Sequence, residues 1–169
     1  GAHHYRFVGL EIRPAAHEFM FNVVDVGSDA RDPADIPHHV ILDRCYIHGD
    51  PARGQKRGIA MNGASIVVIG SHISDIKSTS QDAQAIAGWS GTGPFRVENN
   101  YLEASGENFM LGGATPGATG LVPSDLVFRR NHVARPAAWR SEKWVVKNLF
   151  ELKNARRVLV EGNLFENNW

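Results

Sequence analysis

The sequence predicts an all-β solenoid, a parallel β-helix of about six coils with three short strands in each coil. A phrase of alternating apolar residues around one small or amide residue occurs six times, at steps of 35, 26, 29, 31 and 32 residues. A further short apolar-alternating piece precedes most of these copies. No segment has the apolar spacing of an amphipathic helix, which a Rossmann fold or an α/β barrel would require between its strands.

The repeated phrase predicts two strands joined by a tight turn, because apolar residues alternate on both sides of the small or amide residue. Its six copies are Tyr5–Ile12, Val40–Ile47, Ile66–Ile73, Phe95–Leu102, Leu126–Val133 and Val158–Phe165. Asn100, Asn131 and Asn163 recur at the same bend, where Asn tolerates unusual dihedral angles and can hydrogen-bond to the coils on either side. We therefore expect a structural asparagine ladder rather than a catalytic site there.

The preceding pieces predict a third strand in each coil. They are Gly58–Asn62, Gln84–Gly88, Asn108–Gly112 and Asn148–Lys153. Three short strands in roughly 30 residues form one turn of a parallel β-helix, in which each strand pairs with its counterpart about 4.8 Å away in the next coil.

Composition limits the class of partner. Lys plus Arg equals Asp plus Glu at 18 each, so the formal net charge is zero and we expect no nucleic-acid partner. No apolar run approaches the roughly 20 residues that span a bilayer. The single cysteine, Cys45, excludes an internal disulfide framework and is expected in the core.

The 169 residues are interpreted as one β-helix domain, 1–169. Strand-like sequence begins within a few residues of the N-terminus, and the last phrase is followed at once by Asn167, Asn168 and Trp169. Open ends of a β-helix expose unpaired edges and apolar core groups. We therefore expect the chain to be part of a longer β-helix protein, with self-association through the uncapped ends as the alternative.

The repeated strand–Asn–strand phrase resembles the right-handed parallel β-helix superfamily typified by pectate lyases, over residues 5–169. The segments EGNLFENN, GENFMLGGA and NLFELKNA are also similar to those of uncharacterised secreted bacterial β-helix proteins. The resemblance implies a right-handed coil, a polysaccharide partner, a secreted or cell-surface location, and a substrate groove along the strand that precedes each phrase. No lyase catalytic signature maps onto particular residues.

Alternation predicts which side chains of this preceding strand face solvent. The inward residues are Ile59, Met61, Ile86, Phe109, Leu111, Phe150 and Leu152, and the outward ones are Ala60, Ala85, Ala87, Asn108, Met110, Glu151 and Lys153. Asp82, Gln84 and Glu107 lie where loops enter consecutive coils. Stacking is expected to bring Asp82, Glu107 and Glu151 onto one wall within about 10 Å.

A carboxylate cluster beside a base suits β-elimination of a uronate. Asp82, Glu107 and Glu151 could hold Ca²⁺, which prefers several oxygen ligands and would neutralise the substrate's acid group. Lys153 is the candidate base, with Glu151 and Glu107 as further catalytic residues. The candidate substrate-binding residues are Arg57, Gln84, Trp89, Asn108, Trp144 and Lys147.

Other interpretations stay open at this stage. Two of the carboxylates could act as acid and base in glycoside hydrolysis, with their separation setting the stereochemistry. The same charges could form a ladder of solvated ion pairs on a non-catalytic glycan-binding or structural β-helix.

The histidines are not predicted to hold a metal. The pairs His3–His4 and His38–His39 have no spacing typical of a metal site. His72 and His132 share a repeat position with Tyr46 and Tyr101, so these side chains are expected to stack on the outer face.

Overall fold

The computed structural model describes residues 1–16, 20–27 and 31–169, and in that part of the chain the fold is an all-β parallel solenoid of about five turns. The predicted fold class is confirmed. Three parallel sheets run along the solenoid, and each coil contributes one strand to each sheet. Short 3-10 helices cover Pro33–Asp35 and Ala137–Ser141.

Sheets A and B contain the six repeated phrases. Sheet A consists of β1 (His3–Val8), β4 (His38–Asp43), β7 (Ala64–Ile69), β10 (Phe95–Glu98), β13 (Ser124–Arg129) and β16 (Arg156–Glu161). Sheet B consists of β2 (Glu11–Ile12), β5 (Tyr46–His48), β8 (His72–Ile76), β11 (Tyr101–Ala104), β14 (His132–Ala134) and β17 (Leu164–Glu166).

Sheet C contains the strand that precedes each phrase. It consists of β3 (Asn22–Val26), β6 (Arg57–Met61), β9 (Gln84–Gly88), β12 (Glu107–Leu111) and β15 (Phe150–Leu152). Strand β3 was not predicted from the sequence. The six phrases therefore form five complete coils and the start of a sixth.

The asparagine ladder is confirmed at the turn between sheets A and B. The Oδ1 atom of Asn131 accepts hydrogen bonds from the backbone and side-chain nitrogens of Asn100 at 3.1 and 3.0 Å. Asn163 binds Asn131 in the same way at 2.8 and 3.0 Å. Ser71 continues the ladder by accepting from the Cys45 N–H at 3.0 Å, and Cys45 is buried as predicted.

A left-handed residue precedes the ladder position in each of the six coils, with φ between 52° and 65°. These residues are Gly9, Arg44, Gly70, Asn99, Arg130 and Gly162. The backbone reverses direction sharply there, and in three of the coils the side-chain amide of the next residue, Asn100, Asn131 or Asn163, donates to a carbonyl inside the turn.

The predicted outward face of sheet C is largely buried, so that part of the prediction was wrong. Ala60, Ala85, Ala87 and Asn108 have no exposed surface, and Met110 is 7% exposed. Asn108 lies inside a corner of the coil, where its Nδ2 donates to the carbonyls of Leu102 at 2.7 Å and Ala134 at 2.6 Å.

The other side chains that were expected to face solvent are buried for a different reason. Ala85 packs into the hydrophobic core. Ala60, Ala87 and Met110 form one row in register, and the loop after β12 approaches Met110 so closely that a Cβ on Gly113 would lie 3.3 Å from its Cε. Glu151 is half-buried and Lys153 is exposed.

Exposed apolar side chains concentrate in the first and last coils. They include Phe7, Val8 and Leu10 at one end and Leu152, Leu164 and Phe165 at the other. Leu152 was expected to face inward, but β15 is the edge strand of sheet C. Within the described ranges, no helix is long and apolar enough to cross a membrane.

A predicted aromatic stripe is confirmed on the outer face of sheet B. Tyr46, His72, Tyr101 and His132 pair in register on consecutive strands. Their ring centroids follow one another at 5.4, 4.5 and 5.2 Å.

Candidate functional site

A row of polar side chains crosses sheet C where its strands begin. Asn22, Arg57, Gln84 and Glu107 are in register on β3, β6, β9 and β12. Arg57 donates to Asn22 Oδ1 at 2.9 Å and to Gln84 Oε1 at 3.1 Å. Gln84 Nε2 donates to Glu107 Oε2 at 2.9 Å. The row is therefore one continuous chain of hydrogen bonds across four coils, with charged groups at two positions.

Two lysines from different loops meet this row. Lys147 Nζ lies 3.0 Å from Asp82 Oδ2 and 3.1 Å from Glu107 Oε1. Lys56 Nζ donates to Gln84 Oε1 at 2.9 Å and to the backbone carbonyl of Asp82. We call Lys56, Arg57, Asp82, Gln84, Glu107 and Lys147 the sheet C cluster.

Glu107 is the most enclosed charge of the sheet C cluster, with no exposed surface. Its Oε1 atom makes no well-aligned hydrogen bond within the described residues, although the Lys147 ammonium lies 3.1 Å away. The ion pair with Lys147 is therefore what compensates the charge on this oxygen.

The two lysines of the cluster differ in protonation. Burial lowers the pKa of Lys56 to about 8, and the charge of Arg57 acts in the same direction, while Glu107 and Asp82 oppose it. The hydrogen bond to Asp82 and the adjacent carboxylate of Glu107 raise the pKa of Lys147. Lys147 is thus a permanent cation at neutral pH, whereas Lys56 can exchange a proton near neutrality.

The loop between β14 and β15 carries Lys147 to the cluster. Arg135 is fully buried at its start and donates to the carbonyls of Ala104 at 3.2 Å, Gly106 at 2.9 Å and Lys147 at 3.4 Å. Further along, the Val145 N–H donates to the Ser78 carbonyl at 2.8 Å. These bonds fix the loop over two neighbouring coils.

The loop tryptophans pack on cations. Trp139 and Trp144 enclose the Lys77 ammonium, which lies 4.6 and 5.0 Å from their ring centroids. The Arg57 guanidinium lies 4.8 Å from the ring centroid of Trp89. Trp89 and Trp144 are both half-buried, so each keeps part of its surface accessible to a ligand.

A cleft of about 270 Å³ opens beside Lys56 on the loop side of the solenoid. Arg53, Lys56 and Lys77 line it together with one carboxylate, Asp50. A second depression of about 340 Å³ shares Asp50 and Arg53 with the first, so the two adjoin, and we call them together the loop-side groove. Lys77 is paired with Asp75 at 3.1 Å and Arg53 with Asp50 at 3.0 Å, so Lys56 supplies the positive charge in excess along the cleft, which favours an anionic ligand.

The structure brings together part of the predicted site. Arg57, Asp82, Gln84, Glu107 and Lys147 belong to one cluster. Asn108 was also proposed to bind substrate, but its buried amide faces the inside of the coil.

Glu151 and Lys153 form a separate pair, 3.6 Å apart. Glu151 is in register with Met110, three positions further along the strand than Glu107. At about 3.3 Å per residue, that offset alone separates the two rows by about 10 Å.

The carboxylates do not fit the calcium ion predicted from the sequence. Asp82 and Glu107 share the Lys147 ammonium, and Glu151 pairs with Lys153 instead of turning toward them. The Lys147 ammonium thus already occupies the position between the carboxylates of Asp82 and Glu107, where the calcium ion was expected.

Sequence analysis missed Lys56. The only indication was a second basic residue beside Arg57, two positions before the predicted strand Gly58–Asn62. Its burial arises from the adjacent loops, which alternation does not describe.

No family model matches the chain, and no curated protein or solved structure matches it either. The resemblance to pectate-lyase-like proteins therefore depends on the repeat and on the sequence segments quoted above.

Proposed function

We propose that this protein is a polysaccharide lyase that cleaves an anionic, uronate-containing glycan by β-elimination in the loop-side groove. The observation that carries this proposal is Lys56, a half-buried amine with a pKa of about 8 in the wall of a cleft. An amine of that pKa is a competent general base near neutral pH. In this proposal Lys56 replaces Lys153, the base suggested by sequence.

The proposed step needs a general base and a cation that faces the substrate carboxylate. Neutral Lys56 Nζ removes the proton on the carbon next to the substrate carboxylate, and the released electron pair forms a carbon–carbon double bond. The bond to the leaving glycosidic oxygen breaks at the same time, and that oxygen takes up a proton from solvent. Arg53, an exposed cation of the cleft wall, would stabilise the negative charge that develops on the carboxylate.

The solenoid shape supports an extended substrate. The groove crosses loops from adjacent coils, so consecutive sugar units could contact consecutive coils. We place the protein outside the cell or on its surface as part of the same proposal, since such polymers occur there.

The direct test is an assay for unsaturated uronate absorbance on a panel of polyuronates, with chelator and with added calcium. We expect turnover in both conditions and a loss of at least roughly a hundredfold in Lys56→Met, the range of a general base. Lys153→Met is the matched control, because Lys153 is exposed and pairs with Glu151 outside the sheet C cluster. Turnover that survives in Lys56→Met and disappears in Lys153→Met would overturn the assignment of the base.

A non-catalytic glycan-binding module is the second outcome of the same experiment. Binding on a glycan array without any turnover, weakened by Arg53→Ala, would replace the lyase proposal with that function. Arg53 is suited to this variant because it is exposed and pairs only with Asp50 among the ion pairs of the described residues. If the protein neither binds nor cleaves any anionic glycan, both proposals fail.

A further inference from the structure

We propose that His4, His38 and His39, with His3 as a fourth imidazole beside them, form a binding site for a divalent transition-metal ion, with Cu²⁺ or Ni²⁺ preferred over Zn²⁺. The two His–His pairs lie at the start of neighbouring strands, and His3 is in register with His38. The rings of His3 and His38 stack at 4.7 Å, and those of His4 and His39 at 4.6 Å. The four imidazoles therefore form one compact group across two coils.

Backbone geometry turns both side chains of each pair to the same side. Consecutive residues of a strand normally point to opposite faces. His4 and His39 have φ values of 60° and 54°, outside the strand region. As a result, the Nδ1 atoms of His3 and His4 lie 2.8 Å apart, and those of His38 and His39 lie 2.9 Å apart.

The same corner joins side chains across coils elsewhere in the solenoid. Asp125 and Arg157 have φ values of 58° and 54°, and they are bound to each other by two hydrogen bonds of 2.6 and 2.8 Å. The left-handed corner is thus a feature of the coil that presents side chains of adjacent coils to one another. In the first two coils, the residues at this left-handed corner are His4 and His39.

The short distance between the two Nδ1 atoms of each pair limits how many of them can be protonated. Two Nδ1 atoms at 2.8 Å cannot both carry a proton, so at least one nitrogen of each pair presents a lone pair to its neighbour. Neutral imidazole is the form that binds metals.

The distances indicate the kind of ion. Two nitrogens bound at about 2.0 Å are about 2.8 Å apart at a right angle and about 3.3 Å apart in a tetrahedron. The pair separations of 2.8 and 2.9 Å match neighbouring ligands of a square plane, the geometry of Cu²⁺ and Ni²⁺. Candidate ligand atoms of His4, His38 and His39 all lie within 4.8 Å of one another. Opposite ligands of such a plane are about 4 Å apart, so the stacked rings must turn toward a common centre when an ion binds.

The site is accessible and separate from the groove. His3, His4 and His39 are exposed and His38 is half-buried, so an ion can enter from solvent. The histidines begin strands of sheet A, whereas Lys56 directly precedes a strand of sheet C. A bound ion would link β1 to β4 and stabilise the first coil by preferential binding to the folded chain.

The test is a calorimetric titration of Cu²⁺, Ni²⁺ and Zn²⁺ into the protein, combined with electron paramagnetic resonance of the copper sample. We expect one ion per chain, tightest for Cu²⁺, with nitrogen hyperfine splitting from several imidazoles. The double variant His4→Gly/His39→Gly should weaken binding by at least about a hundredfold. Glycine adopts positive φ without strain, so this variant keeps the corner.

The matched control is His72→Ala/His132→Ala, which removes two surface histidines from sheet B. It should bind copper as the unchanged protein does, and circular dichroism should show the β-helix in both variants. If His4→Gly/His39→Gly unfolds, the single variant His3→Gln replaces it and should still weaken copper binding. Absence of saturable one-to-one binding, or equal binding by the site and control variants, would overturn the proposal.

Discussion

Lys147 Nζ lies 3.1 Å from Oε1 of Glu107, a carboxylate without exposed surface at the start of β12. The two residues meet because the loop after β14 folds back over the coils before it. The other oxygen of Glu107 accepts from Gln84. The Lys147 ammonium therefore compensates a charge that would otherwise be buried on an unpaired oxygen.

Replacing this lysine by Met should destabilise the fold. We expect Lys147→Met to lower the free energy of unfolding by about 3 kcal/mol, because it leaves a buried carboxylate without its cation. The double variant Lys147→Met/Glu107→Gln should recover part of this loss, since Gln carries no charge. Urea denaturation of the single and double variants measures both effects.

Lys153→Met is the control for that cycle and should change the free energy of unfolding by less than about 1 kcal/mol, because Lys153 is exposed and lies 3.6 Å from its partner Glu151. The pKa of Lys147 is raised in the folded state. Its contribution is therefore present throughout neutral pH and is lost as pH rises above the ordinary lysine range. Equal losses in Lys147→Met and Lys153→Met would contradict this account.

The asparagine ladder should contribute to stability at each buried rung. Asn131→Ala removes the acceptor for two nitrogens of Asn100 and the donor to the Val97 carbonyl. We expect a loss of about 2–4 kcal/mol, since buried groups left without partners cost about 1–3 kcal/mol each. Thermal denaturation followed by circular dichroism measures it.

Asn99→Gly is the matched control for the ladder. Asn99 is exposed and has a φ of 54°, a conformation that glycine adopts freely. This variant should change stability by less than about 1 kcal/mol. A larger loss in Asn99→Gly than in Asn131→Ala would mean that the turn conformation, not the amide ladder, stabilises the coil.

The repeat could be predicted from sequence because each coil is specified locally. Alternation on both sides of Asn131 defines two strands and a turn without reference to the rest of the chain. The register then follows from stacking equivalent positions. Strand β3, Asn22–Val26, was missed because it was not recognised as one of the short apolar-alternating pieces that precede the phrases.

The candidate site was only partly predictable, because its geometry depends on loops and register. Arg57, Gln84 and Glu107 were placed correctly at the start of sheet C strands. Glu151 lies away from these residues because its register partner on β12 is Met110, three positions beyond Glu107. The burial that lowers the pKa of Lys56 arises from neighbouring loops, and no periodic pattern encodes it.

Arg135 should stabilise the loop that delivers Lys147. Arg135→Met leaves the carbonyls of Ala104 and Gly106 without this donor inside the protein. We expect a loss of about 3 kcal/mol and faster proteolysis between β14 and β15. Arg140→Met, an exposed change in the same loop, should alter neither quantity. Unchanged proteolysis in Arg135→Met would show that other contacts hold the loop.

The pH dependence of cleavage should report the ionisation of Lys56. Its pKa is lowered to about 8, so the neutral, active form increases as pH rises toward that value. We expect kcat/KM to increase about tenfold per pH unit below the pKa and to level off above it. Lys56→Arg should be inactive throughout, because guanidinium stays protonated. A rate that falls over the same interval would exclude Lys56 as the base, since the base must lose its proton to act.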